Sequence, residues 1–278
     1  MSEKQEKSVK KSNGGVIILS IILVLVILVF AGYVLFDQGI ISFGKENNNV
    51  TEKEEVKENK GVKLDINSVE VKYLHGMTAY SQMINNNINS EVYGNKKLTV
   101  AEMSDAYKQN ITSSFYAGNV YGQQTMDSQV YVEAKAVKDA YDLTFGEGHY
   151  KKELAAKYQC FDLNYDASQD RYTNTWIPCG LAGVNYAYEV PLSAIKYDDR
   201  IEITVGVVFS YIEDGFYGDF EKTKKLTGTI GGANTEALEQ SYRTLVNNNI
   251  DSVSQYTYTF RLNKNGFYNY YSVERTKN

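Results

Sequence analysis

Apolar residues fall into three regimes along the chain: an unbroken run, a stretch nearly without them, and then recurrences spaced first by three and four and later by two. The unbroken run is Val16 to Phe36, VIILSIILVLVILVFAGYVLF, uncharged and interrupted only by Ser20. At 1.5 Å per residue, about 21 residues match roughly 30 Å of hydrocarbon, so the run predicts a transmembrane helix. A helix satisfies its backbone groups internally, as a lipid environment demands. Lys4, Lys7, Lys10 and Lys11 precede the run and Asp37 follows it, which keeps residues 1–15 cytoplasmic and exports the rest. A cleaved signal peptide is the competing reading, with Val29-Phe30-Ala31 as the cleavage site. The run continues through Tyr33-Val34-Leu35-Phe36, however, and is longer than a signal core of roughly 7 to 15 residues.

From Gly44 to Lys63 the sequence GKENNNVTEKEEVKENKGVK has too few apolar residues to bury a core, so residues 37–63 read as a juxtamembrane segment and flexible tether. About twenty such residues have a root-mean-square span of roughly 25 Å. An α+β domain is expected from Leu64 to the end, residues 64–278.

In that domain, Ile66, Val69, Tyr73, Met77, Tyr80 and Ile84 predict a first helix, capped by Asn67 with Glu70 and stopped at Asn85-Asn86-Asn87. A second helix is signalled by a capping box, Thr99 with Glu102, inside a hydrophobic staple of Leu98 and Met103, and continues through Tyr107, Ile111 and Phe115. A third is expected from Ser128 to Phe145, with Val130, Ala134, Val137 and Tyr141 inward and Gly146 as its stop.

Beyond Tyr158 the period drops to two. Phe161, Leu163 and Tyr165 alternate with polar residues, Tyr186–Val190 and Ile201–Ile212 read as strands, and a short helix is expected over Thr235–Val246 after a turn at Gly231-Gly232. A closing hairpin turns at Asn265-Gly266; as a two-residue turn it sets Tyr258 opposite Val273 and Phe260 opposite Tyr271. Residues 80–90 and 242–252 share a Tyr…Asn-Asn-Asn-Ile pattern that reads as a common way of ending a helix.

Charge and composition narrow the function. The net charge is −5, and removing the +2 of the first fifteen residues leaves −7 for the remainder, so no nucleic-acid surface is implied. Cys160 and Cys179 lie almost symmetrically about the turn-like run Asp166 to Asp170, which predicts a hairpin disulfide on the oxidising side worth about 3 kcal/mol; two free thiols are the alternative. A catalytic thiol has no histidine nearby in sequence, since only His75 and His149 exist. Neither do these four residues form a compact zinc pattern.

Asp162, Asn164, Asp166, Ser168 and Asp170 alternate like a calcium loop, but Ala167 replaces its glycine and Thr173 its final glutamate, so a strand and turn explain them better. No phosphate loop is present. Asp214 and Asp219 flank Gly215-Phe216-Tyr217-Gly218 and are the most suggestive carboxylates for glycan hydrolysis, against the plainer reading of a glycine-rich surface turn. Asn49 and Asn110 head glycosylation patterns that a bacterial chain does not use. The 24 tyrosines suit a surface that recognises peptides or glycans, although AT-rich coding alone also favours tyrosine. No catalytic, metal-binding or cofactor-binding residue is assigned.

The lysine-rich start, single span, charged tether, LTVAEMSDAY, AVKDAYDLTFG and closing YTYTFRLNKNGFYNYYSVERTK resemble uncharacterised single-pass membrane-anchored exported proteins of AT-rich Gram-positive-type bacteria. That resemblance implies a place in the cell envelope and brings no activity with it. Helices followed by a curved, mainly antiparallel sheet also resemble the rolls of the nuclear-transport-factor-2 and cystatin-like groups, with the helix at Thr235 as an addition. The expectation is therefore a non-enzymatic extracytoplasmic module, anchored in the lipid bilayer, that binds a protein, peptide or glycan or serves structurally. A carboxylate-dependent glycan hydrolase and a single-pass sensor are the alternatives.

Overall fold

A computed structural model describes residues 60–79, 83–84, 87–115, 129–152, 156–158, 161–176 and 185–277. The expected transmembrane helix Val16 to Phe36, nearly all of the tether, and both cysteines, Cys160 and Cys179, lie outside these residues. Among the described residues no helix is long and apolar enough to cross a membrane.

In chain order the elements are β1 (Val62–Leu64), α1 (Val69–Ala79), β2 (Met83–Ile84), β3 (Asn87–Ile88), α2 (Ser90–Tyr93), β4 (Lys97–Thr99), α3 (Asp105–Phe115), β5 (Gln129–Glu133), α4 (Ala134–Phe145), β6 (Ala156–Tyr158), β7 (Phe161–Asp166), β8 (Arg171–Trp176), β9 (Tyr186–Lys196), β10 (Arg200–Tyr211), β11 (Gly215–Tyr217), α5 (Thr235–Asn248), β12 (Gln255–Leu262) and β13 (Tyr268–Lys277). The fold is α+β. Its main sheet runs β1-β9-β10-β12-β13-β4, with β11 also on β10, and a four-stranded sheet runs β5-β8-β7-β6. All described pairings are antiparallel. The first strand begins at Val62, before the expected domain start at Leu64, because its backbone pairs with β9.

Strand β10 shows how the core is divided. Its first half alternates, Ile201 and Ile203 buried and Glu202 and Thr204 partly open, whereas from Val205 to Tyr211 both faces are covered. Val205, Val207 and Phe209 join the core shared with α1, α3 and α4; Val208 instead meets Tyr242, Leu245 and Val246 of α5. A helix on each face thus turns an alternating strand into a continuously apolar one. Asn234 caps α5 by accepting from the Ala237 amide at 2.8 Å, just after the expected Gly231-Gly232 turn.

Several expectations change. In α1 the buried stripe is Val71, Leu74, Met77 and Thr78, while Val69 and Tyr73 are exposed; Met77 is shared with the expected stripe, both have helical spacing, and packing on β9 and α3 selects the buried one. Ser68, not Asn67, caps that helix, its hydroxyl accepting from the Val71 amide at 3.3 Å. The helix ends at Ala79, and Met83–Ile84 pairs with Asn87–Ile88 where a helix stop was expected. The related segment at 242–249 is a true helix end, so the shared pattern has two structures.

Half of the Thr99–Glu102 box is formed: Glu102 accepts from the Thr99 amide at 2.9 Å and hydroxyl at 2.7 Å, while the Glu102 amide donates to the Thr99 carbonyl at 2.9 Å and closes a single turn. Helix α3 starts at Asp105, capped by the Ser104 hydroxyl at 3.1 Å from the Tyr107 amide. The expected third helix is half strand: Gln129–Glu133 pairs with β8, as its Val130-Tyr131-Val132 favours, and only Ala134–Phe145 is helical.

At the last hairpin, the Phe267 carbonyl accepts from the Asn263 amide at 2.8 Å, making Lys264-Asn265-Gly266 a three-residue loop with Gly266 at φ 83°. Only glycine takes that left-handed conformation without steric cost. The longer loop shifts the pairing by one, so Phe260 faces Tyr270; a bulge at Tyr271 shifts it back, restoring Tyr258 opposite Val273. Tyr271 is thereby turned out of the core and lies under Arg261, whose guanidinium is 3.4 Å from the ring centre.

Candidate functional site

The pleat of β9 sends Tyr188 and Val190 toward α5 and Glu189 into the opposite core. The Glu189 side chain is 0% exposed. Its Oε1 accepts from the Tyr93 hydroxyl of α2 at 2.8 Å and from the Tyr258 hydroxyl of β12. Its Oε2 lies 3.3 Å from Nε2 of His75, on α1. The Tyr107 and Tyr270 hydroxyls are 3.3 Å apart, and the Tyr256 hydroxyl donates to the Tyr93 carbonyl at 3.1 Å. Burial, followed by the Glu189 charge, drives the phenols of Tyr93 and Tyr258 well above their ordinary pKa, so both remain donors at neutral pH. Burial raises Tyr270 as well.

This cluster ties α1 and α2 to the sheet through a carboxylate held by directed donors. A sealed carboxylate cannot touch a substrate, so its chemistry here is anchoring. One residue, Glu189, escaped the sequence reading although it stands within the expected strand Tyr186–Val190; its period-two position beside inward-facing Ala187 was the available signal.

The other singled-out residues separate. Asp166 accepts from the Ser168 amide at 2.9 Å and hydroxyl at 2.6 Å, and Asp170, at φ 51°, pairs with Lys152 at 2.7 Å, so the calcium-like run is the β7–β8 turn. Among the described residues no group of three or more His, Cys, Asp or Glu could hold a metal ion. Asp214 pairs with Lys222 at 2.8 Å, while Asp219 accepts from the Thr223 amide and hydroxyl and from the Lys224 amide. Burial would raise Asp219, but these donors outweigh it and hold the carboxyl below its usual range. Its lone pairs are committed to the loop, which removes the proposed Asp214–Asp219 pair as a hydrolytic couple.

His149 lies in the loop after α4, its pKa lowered by burial and then by the Lys108 charge. Asn110 is buried in α3. Tyrosine abundance also has an interior use: Tyr93, Tyr107, Tyr141, Tyr172, Tyr242, Tyr256, Tyr258 and Tyr270 are among the most buried large side chains.

An open groove of about 630 Å³ runs between the end of α4 and the β12–β13 loop. Phe267 and Leu143, 55% and 42% exposed, supply apolar surface, and Asp139, Glu147, Lys264 and Asn265 supply polar groups. The floor is rigidly built. Asn269 donates to the carbonyls of Asp142 at 3.1 Å and Leu143 at 2.8 Å, and accepts from Asn263 at 2.8 Å; Asn263 in turn accepts from the amides of Asn265 and Phe267. These bonds lock the hairpin loop to the helix end, leaving the groove to be occupied without rearrangement. Its ion pairs are Lys135–Asp139, Lys138–Asp142 and, at 3.6 Å, Lys264–Glu147.

No family model, no curated protein and no solved structure matches the chain.

Proposed function

We propose that the chain is a membrane-tethered extracytoplasmic binding module of the bacterial cell envelope, non-enzymatic, held by Val16 to Phe36, with residues 1–15 inside and the α+β domain outside. Its order follows the resemblance to single-pass anchored envelope proteins, and helices packed on an antiparallel sheet suit a roll of the nuclear-transport-factor-2 or cystatin-like kind, with α5 on the other face as an addition. The observation that carries the binding reading is the pre-built groove at Phe267, where exposed apolar surface meets polar side chains over a hydrogen-bonded floor. A Cys160–Cys179 disulfide belongs to the same reading: the described β7–β8 pairing ends with Phe161 opposite Trp176, and the two cysteines lie one residue before Phe161 and three residues after Trp176 in the sequence.

The test is retention of envelope peptides or glycans by the detergent-solubilised full chain, compared with Phe267→Asp. Retention by the native chain and its loss in the variant are expected. No retention, or equal retention by both, would overturn the groove as the binding surface.

A further inference from the structure

A second depression, of about 460 Å³, opens where the turn after α2 meets the end of β13, lined by Gly94, Lys96, Glu221, Arg275, Thr276 and Lys277. Three of these residues are cationic and one is anionic, in a chain of net charge −5. Arg275 is a fixed part of the wall: its side chain is 12% exposed, with Nη1 donating to Glu221 at 2.8 Å and Nη2 to the Tyr93 carbonyl. The Arg275 amide donates to the Lys96 carbonyl at 2.7 Å, which fastens Lys96 beside it. Lys277 reaches the Ile250 carbonyl at 3.2 Å and Asp251 at 3.3 Å, the latter a side chain 98% exposed and thus a weak competitor. A Cβ on Gly94 would meet the Ser90 carbonyl at 2.5 Å, so this part of the wall stays bare backbone.

We propose that this depression binds a phosphomonoester group, with Lys96 and Lys277 as direct contacts and Arg275 as the immobile cation behind them. Ammonium groups on flexible stems suit a tetrahedral oxyanion as movable point charges, whereas the guanidinium is already held by Glu221. Charge selects the class of anion. After Glu221 is subtracted, the lining carries an excess of two positive charges, one of them shared with the exposed Asp251; a phosphomonoester of about −1.5 to −2 matches the two and outcompetes Asp251, as a single carboxylate does not. The group has two sources, inorganic phosphate or the headgroup of phosphatidic acid.

The experiment uses the full chain in neutral detergent at fixed ionic strength, titrated in separate arms with inorganic phosphate and with short-chain phosphatidic acid. Binding is read from protection of the Lys96 and Lys277 amines against acylation, by mass spectrometry, and from calorimetry. Saturable binding is expected in at least one arm, and that arm names the source. Lys96→Glu and Lys277→Glu, both surface changes, each weaken binding about tenfold, the effect of reversing an exposed charge, and Glu221→Gln strengthens it about threefold. The opposite signs separate a specific site from loss of fold. Saturation in neither arm, or unchanged affinity in Lys96→Glu and Lys277→Glu, would overturn the proposal.

Discussion

Replacing Tyr93 or Tyr258 by phenylalanine removes one donor from a carboxylate that has no exposed surface. Hydrogen bonds to charged groups contribute about 1.5–3 kcal/mol, so each single change is expected to destabilise the domain by about 2 kcal/mol. For a domain of this size that corresponds to roughly 4–8 °C in Tm. Both phenols converge on the same oxygen, Oε1, so losing the second leaves the carboxylate facing His75 alone. The double variant should therefore exceed the sum of the singles by about 1 kcal/mol. Urea unfolding of residues 58–278, followed by far-UV circular dichroism at neutral pH, measures all four corners of this cycle. Tyr165→Phe, whose partner Asp170 is exposed, is the control, expected within about 0.5 kcal/mol of the parent. Single losses below about 0.5 kcal/mol with strict additivity would refute the view that Glu189 anchors the helices through its phenol donors.

Alkaline unfolding follows from the same phenols. Their folded pKa values are raised, so the unfolded chain releases protons first, near its ordinary value of about 10; stability is level below that pH and falls above it. Absorbance at 295 nm during a base titration should show the buried tyrosines ionising only together with loss of circular dichroism, and their independent ionisation in folded protein would count against this. Asp219→Ala should cost about 2–4 kcal/mol in urea unfolding by releasing three donors of the 219–224 loop, whereas a change under about 0.5 kcal/mol would mean that the loop is held otherwise. At Gly218 a Cβ would lie 2.1 Å from the Ser252 carbonyl, so Gly218→Ala should cost more than about 2 kcal/mol by the same assay, and a neutral result would refute that close approach. Mass spectrometry after alkylation without reductant should find Cys160 and Cys179 unmodified and linked; quantitative alkylation would remove the disulfide.

Legibility in the sequence followed the range of the forces involved. Strand β10 and helix α5 were readable because a run of β-branched and aromatic residues and a Gly-Gly turn ahead of a helix are local signals, whereas the Tyr258–Val273 pairing was recovered only because a longer loop and a bulge offset one another. The bulge at Tyr271 was not readable, since the hairpin register depends on a loop one residue longer than the simplest turn. In α1, Val69-Tyr73 and Val71-Leu74 both have helical spacing, and only packing against β9 and α3 decides between them. The carboxylate arm of the Thr99–Glu102 box formed as expected, yet the turn ended there, because Ser104 caps α3 separately. Glu189 was hidden for another reason: a buried carboxylate is specified by Tyr93, Tyr258 and His75, which converge from distant parts of the chain.

The most direct measurement is external proteolysis of intact cells that express the chain with separate tags on residues 1–15 and at the C-terminus. Loss of the C-terminal tag with survival of the N-terminal one, in the membrane fraction, is the expected result. A C-terminal tag protected until the cells are broken would contradict both the tether and the envelope function built on it.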